Sequence, residues 1–242
     1  MPVPVRDKVV IVLGASSGIG RATAQLFASE GARVMAAARR ENRLLELRDE
    51  MRGAGHEIEI HACDATRADD MDRLARHTEK TFGGVDILVY ASGTNTPDRA
   101  MSRLNAEIWD TLVGVNLNGA YYATRAVLPA MRKAGGGYLI FVSSISGLMA
   151  DASGAAYQAS KRGVLGLAHA IRFEEKEHGI RTCVICPGLV DTEILEHRPV
   201  KPPEEIMRHA LQAEDIAEAI LAVAKLPARA VVPEMQILPT YL

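Results

Sequence analysis

The sequence predicts a single α/β domain: a doubly wound parallel sheet with helices on both faces. Two observations carry this reading. Short, continuously apolar runs recur from end to end, each followed by a helix-period pattern, and strands covered on both faces look like this. No linker, repeat or low-complexity tract divides the 242 residues, so one domain spans 1–242.

The elements follow in order. Val9–Leu13 is an all-apolar strand, and the helix after it, from about Ile19 to Ser29, stops at Gly31. Arg33–Ala38 is the second strand, and Leu44, Leu47 and Met51 mark one face of the second helix. Ile58, Ile60 and Ala62 alternate in the third strand; Met71, Leu74 and Phe82 stripe the next helix; Val85–Tyr90 is the fourth strand. A long helical region runs from about Asn105 to Lys133, bent at Pro129. Tyr138–Ser143 is strand five, and a helix from Tyr157 to about His178 ends before Gly179. Arg181–Cys186 is strand six, Ala213–Leu226 a helix and Glu234–Leu238 the last strand. The irregular stretch is Asp191–Gln212, a substrate loop containing Pro199, Pro202 and Pro203.

Composition excludes several classes. The chain is 48% hydrophobic and 24% charged with a net charge of −2, which offers no electrostatic footprint for nucleic acid. No run of about 18 apolar residues is present to span a membrane. The start, Met1-Pro2-Val3-Pro4-Val5-Arg6, lacks a signal-peptide core, so the expected compartment is the cytoplasm. Cys183 and Cys186 are spaced like a redox or zinc pair, but three residues apart on a strand they point to opposite faces. The seven histidines have no ligand spacing, and no metal is expected.

The first strand runs into Gly14-Ala15-Ser16-Ser17-Gly18-Ile19-Gly20 and then a helix. That is the phosphate-binding turn of a Rossmann-type sheet: glycines let the backbone approach a pyrophosphate, whose charge sits at the helix N-terminus. The second strand ends Ala37-Ala38-Arg39-Arg40, with no carboxylate before Glu41 to accept the ribose 2′-OH of NAD. Arginines there favour a 2′-phosphate, and Arg39 is the first choice to bind it, so the expected cofactor is NADP(H).

Tyr157-Gln158-Ala159-Ser160-Lys161 puts Tyr157 and Lys161 on one helix face. An ammonium nearby should lower the phenol pKa and make Tyr157 an acid/base near neutrality. Ser144, at the carboxyl end of strand five, can hydrogen-bond a substrate oxygen where charge develops.

With these residues in place, the sequence resembles the short-chain dehydrogenase/reductase family, in its NADP(H)-preferring branch, over essentially the whole chain. Asp64 in Cys63-Asp64-Ala65, Asn116 in Val115-Asn116-Leu117, Ser144, Tyr157, Lys161 and Pro187-Gly188 fall in the matching places and order. The resemblance implies that Tyr157 exchanges the proton and Ser144 orients the carbonyl. Lys161 would bind the nicotinamide ribose, and Asn116 would hold a relay water through its backbone carbonyl. Asp64 and Ala65 would lie at the adenine, and Val190 and Thr192 at the carboxamide and pyrophosphate. Two departures stand out. Leu13 replaces a usual Thr, and Tyr90-Ala91-Ser92-Gly93 replaces Asn-Asn-Ala-Gly, although Gly93 still lets the backbone pass close to the cofactor.

The expected activity is hydride transfer between NADP(H) and a small alcohol/carbonyl pair. Two other readings are weighed against it. A lyase-like relative such as a halohydrin dehalogenase gives up the nucleotide site and the tetrad Lys, whereas Gly14, Gly18, Gly20 and Lys161 are all present. A nucleotide sensor has no chemical need for Ser144, Tyr157 and Lys161 together. Substrate choice should lie in Ser92–Thr96, Ile145–Ala150 and the 191–212 loop. Arg198, Lys201 and Arg208 in that loop are outnumbered by Asp191, Glu193, Glu196, Glu204 and Glu205, and are read as solvated surface charge. Leu112, Val115, Tyr121, Tyr122, Val127 and Leu128, with Val164, Leu165, Leu167, Ala168 and Ile171, suffice for a second apolar stripe on their helices. A homo-oligomer, tetramer or dimer, is therefore expected.

Overall fold

The computed structural model describes residues 3–241. Met1 and Pro2, where the N-terminal reading begins, and Leu242, the last residue of the domain bounds, lie outside the described residues. Seven strands, β1 (Val9–Leu13), β2 (Arg33–Ala38), β3 (Ile58–Ala62), β4 (Ile87–Tyr90), β5 (Gly137–Val142), β6 (Ile180–Pro187) and β7 (Glu234–Ile237), form one parallel sheet. Their order is β3-β2-β1-β4-β5-β6-β7. The order reverses between β1 and β4, which opens a crevice at the carboxyl ends of the strands.

Continuous apolar runs are explained by the two faces they feed. Val10 and Val12 of β1 pack with α1 (Gly18–Ser29), α2 (Glu41–Gly53) and α8 (Ala213–Ala224). Ile11 and Leu13 face the other way, toward α3 (Ala68–Phe82), α5 (Gly119–Ala134) and α6 (Ala155–Glu174). Each fully buried Val, Leu or Ile contributes roughly 1.5–3 kcal/mol by leaving water. Cys183 and Cys186 fall in these opposite clusters, and all three cysteines are free and buried. Among the described residues no group of His, Cys, Asp and Glu could hold a metal ion.

The long helix differs from expectation. It consists of α4 (Ala106–Val113), a π turn at Gly114–Asn118, and α5, which continues through the exposed Pro129. The departure from α geometry therefore sits at the π turn and not at Pro129. A tertiary contact accompanies it: the Tyr90 hydroxyl donates to the Val115 carbonyl at 2.5 Å. The tyrosine that replaces the family's asparagine thus supplies a bond of its own.

The 191–212 segment is less irregular than the prolines suggest. It holds a 3₁₀ turn at Glu193–His197 and the short α7 (Glu204–Met207). A parallel bridge between Val190 and Leu211 ties its ends together, with Asp191 N donating to Leu211 O at 2.8 Å.

Most of the apolar residues expected to form a second helical stripe face the core: Leu112, Val127, Val164, Leu165, Ala168 and Ile171 are buried. Trp109, Tyr121 and Phe173 remain exposed on α4, α5 and α6.

Candidate active site

All the site residues read from the sequence, except Gly20 and Asn116, line one cleft of about 740 Å³ at the strand-order reversal. Its floor at one end is the glycine-rich turn. Gly14 sits at φ +91°, and a Cβ there would meet Ser92 N at 2.7 Å, so the turn packs directly on the Ala91-Ser92-Gly93 backbone. Gly20 lies beneath the surface, against the Gly14 carbonyl. Ser17 precedes α1 in extended backbone without a side-chain cap, and the first turn of α1 carries no acid. The uncapped N–H groups and helix dipole there suit an anion.

Arg40 lies over this turn. Its Nη2 donates to Ser16 Oγ at 3.0 Å and Ser17 Oγ at 2.6 Å, and its Nη1 reaches Glu193 Oε2 at 2.8 Å. Arg40 holds the Glu193 carboxyl below the usual range. Arg39 is exposed, and its side chain makes no hydrogen bond to the described residues. Ile19, Gly18 and Thr192 close the turn from the loop side, with Thr192 Cγ2 3.1 Å from where a Gly18 Cβ would stand. Pro187, Gly188 and Val190 carry the cleft wall from β6 into that loop. Asp64, at the far wall with Ala65, turns one oxygen back to Thr66, accepting from its amide at 2.9 Å and its hydroxyl at 2.8 Å.

At the other end stand Ser144, Tyr157 and Lys161. Tyr157 opens α6 and is 9% exposed. Lys161, one turn on, donates from Nζ to Val142 O at 3.0 Å and lies 5.7 Å from the Tyr157 ring centre. Ser144 hydrogen-bonds to Ser146, whose hydroxyl meets Asp151 Oδ2 at 2.5 Å. Burial pushes the Tyr157 phenol up to about 12, opposed by the neighbouring Ser144 hydroxyl. Burial also lowers Lys161 to about 8. The lowering of the tyrosine expected from Lys161 is not what the structure gives: burial of a nearly enclosed phenol sets the direction, and the Lys161 proton is directed to the Val142 carbonyl.

Asn116 is fully buried on the π turn, behind the cleft. Its Oδ1 accepts from Thr94 N at 2.8 Å, and its Nδ2 donates to Thr94 O at 3.1 Å and Ser160 Oγ at 3.0 Å. Ser160 in turn donates to Tyr157 O at 2.8 Å. The side chain of Asn116 therefore fixes the strand-four loop to the helix that bears Tyr157. Sequence reasoning had Asn95 within a stretch expected to set substrate choice but missed Arg99, Asp151 and Ser153, which also line the cleft; none of these three has a spacing that marks it.

Comparison with known proteins agrees with this geometry. A family model described as short chain dehydrogenase matches residues 8–202. An uncharacterized oxidoreductase of Staphylococcus aureus is 32% identical over 233 residues, 96% of this chain and 97% of the relative. A metagenomic short-chain oxidoreductase solved with NADP superposes with a TM-score of 0.85 at 32% identity, over 98% of this chain and 99% of that one. An alcohol dehydrogenase from the archaeon Thermococcus sibiricus, solved with 5-hydroxy-NADP, gives 0.86 at 28% identity, with 97% of each chain covered. The chain belongs to the short-chain dehydrogenase/reductase family and is an oxidoreductase of that family.

Proposed function

We propose that this oxidoreductase uses NADP(H) to interconvert a small alcohol and its carbonyl, with Tyr157 as the general acid/base. One observation carries the reading: Ser144, Tyr157 and Lys161 occupy one end of a cleft whose other end is an uncapped helix N-terminus overlaid by Arg40. Bound along that cleft, the nicotinamide would supply or accept the hydride. The residues that fit it are the turn from Gly14 to Gly20, Arg39 and Arg40 at a 2′-phosphate, Asp64 and Ala65 at the base, and Lys161 at the ribose. Ala91, Ser92 and Gly93 with Pro187, Gly188, Val190 and Thr192 make the walls. Tyr157, held as a neutral phenol, is in the form that a carbonyl reduction consumes. Ser144 is placed to hydrogen-bond the substrate oxygen.

Incubation with NADPH and a panel of small aldehydes and ketones should give loss of NADPH absorbance with at least one of them. No loss with any carbonyl, and no NADP+ reduction with the matching alcohols, would reject the reading. Residues 1–242 act as one catalytic unit, with 191–212 as its substrate loop. Three free, buried cysteines suit the reducing cytoplasm.

The exposed Trp109, Tyr121 and Phe173 support a homo-oligomer, tetramer or dimer, formed through α4, α5 and α6. Light scattering at micromolar concentration should give a multiple of the 26.1 kDa chain mass; a mass near one chain removes this proposal.

A further inference from the structure

We propose that the substrate carries a carboxylate, and that Arg99 with Arg198 forms the site that holds it beside Tyr157. The inference names the substrate class for the reaction proposed above and rests on that reading.

Arg99 is only 9% exposed and lines the catalytic end of the cleft. Its Nε donates to Thr96 O at 2.9 Å and its Nη2 to His197 O. No carboxylate lies within ion-pair distance of it among the described residues. A guanidinium out of water normally has an anionic partner, because two neutral carbonyls do not compensate a buried charge. Burial, and after it the like charge of Arg198, lower the Arg99 pKa from its ordinary value, opposed by Tyr157 and Asp151, while the guanidinium stays charged.

The nearest opposing charges do not fill that role. Asp151 acts on Arg99 from the corner before α6, but its oxygens accept from the Ser146 hydroxyl at 2.5 Å and the Ser153 amide at 2.8 Å. Glu193 is paired with Arg40, and Glu196 is exposed with no cation within ion-pair distance.

The position is built. A Cβ on Gly154 (φ +91°) would stand 2.5 Å from Arg99 O and 2.6 Å from Arg99 Cβ, so the Arg99 backbone is seated on the residue that caps the helix of Tyr157. Asn95 Nδ2 donates to Ser153 O at 3.2 Å and fastens the same strap one turn away. Arg198 lines the cleft from the 191–212 loop, next to the His197 whose carbonyl Arg99 bonds, and its charge is felt by both Arg99 and Tyr157. Of the three loop cations, Arg198 alone lines the cleft; Lys201 and Arg208 are exposed. Reading that loop by its net charge averages the three and hides the one that matters. Two guanidiniums next to the phenol suit an oxo acid or hydroxy acid, whose planar carboxylate they can grip in paired hydrogen bonds.

The test compares glyoxylate, acetoacetate and 4-oxobutanoate with their methyl esters, using NADPH. In at least one pair the acid should exceed its ester at least ~10-fold in kcat/KM, because an ester leaves the arginines unpaired. Arg99→Met should abolish that preference through KM, with the ester changed by less than ~3-fold and NADPH affinity intact; Arg99→Lys should restore part of it. Arg198→Met, on an exposed loop, gives the same readout with no demand on folding. Esters reduced as well as acids by the native enzyme would overturn the proposal, as would acid and ester falling together in both Met variants. Calorimetric titration with 3-hydroxybutyrate and its methyl ester reads the same site without turnover. Binding of the acid alone, lost in Arg99→Met, supports the site even if no carbonyl is reduced; equal binding of both, or of neither, counts against it.

Discussion

Replacing Tyr157 by phenylalanine is expected to lower turnover at least ~10²-fold while NADPH still binds, because the change removes one hydroxyl and leaves the ring's packing in place. The ring is buried at the start of α6, whose position is fixed through Asn116, Ser160 and Gly154 and not through the phenol oxygen. The variant should therefore fold and keep the other end of the cleft. The pH profile carries a second check. Tyr157, with its pKa pushed up to about 12, stays protonated throughout the working range, whereas Lys161, lowered to about 8, loses its charge as pH rises through that value. Carbonyl reduction in the native enzyme should be flat below about 8 and fall above it. Stopped-flow reduction rates and NADPH titrations settle both points. A phenylalanine variant keeping most of its turnover would remove Tyr157 from the chemistry.

What the sequence made legible follows a physical line. β1 and β2 were readable to the residue, since both faces of each are buried and every position but the exposed Arg33 that opens β2 is apolar. Tyr157 and Lys161 were readable because helical spacing alone puts them on one face. The π turn was not: it coincides with a bond from Tyr90, which is 25 positions from Val115, and local periodicity cannot report that. Pro129 attracted the bend because proline removes an amide donor, yet α5 absorbs it on an exposed face. Arg99 was invisible for a different reason. It sits in Pro97-Asp98-Arg99-Ala100, which reads as polar loop, and its burial exists only once Gly154 and His197 close over it. The direction of the Tyr157 shift was misjudged because the sequence shows the neighbouring charge but not the depth of burial.

Cofactor preference is the remaining large effect. NADPH should bind the native protein at least ~10-fold more tightly than NADH, since the end of β2 offers two guanidiniums and no carboxylate for a free ribose hydroxyl. The sequence favours Arg39 for the 2′-phosphate; the structure adds that Arg40 is already oriented, held on Ser16 and Ser17 at the edge of the turn. Its present ionic partner is Glu193, and both side chains are more than two-fifths exposed, so that pair is weak and an incoming phosphate can displace it. Arg39, exposed and lining the same cleft, has no such partner to give up. Arg40→Ala should therefore cost NADPH roughly 1.5–3 kcal/mol, a weakening of about 10- to 150-fold, and leave NADH nearly unchanged. Arg39→Ala should act in the same direction, and the double variant should bring the two cofactors close to parity. Glu193→Gln, which frees Arg40 from its competitor, should move NADPH affinity the opposite way. Fluorescence titration of each protein with both reduced cofactors reads all four effects, and equal affinity for NADPH and NADH in the native protein would refute the assignment of this end of the cleft to a 2′-phosphate.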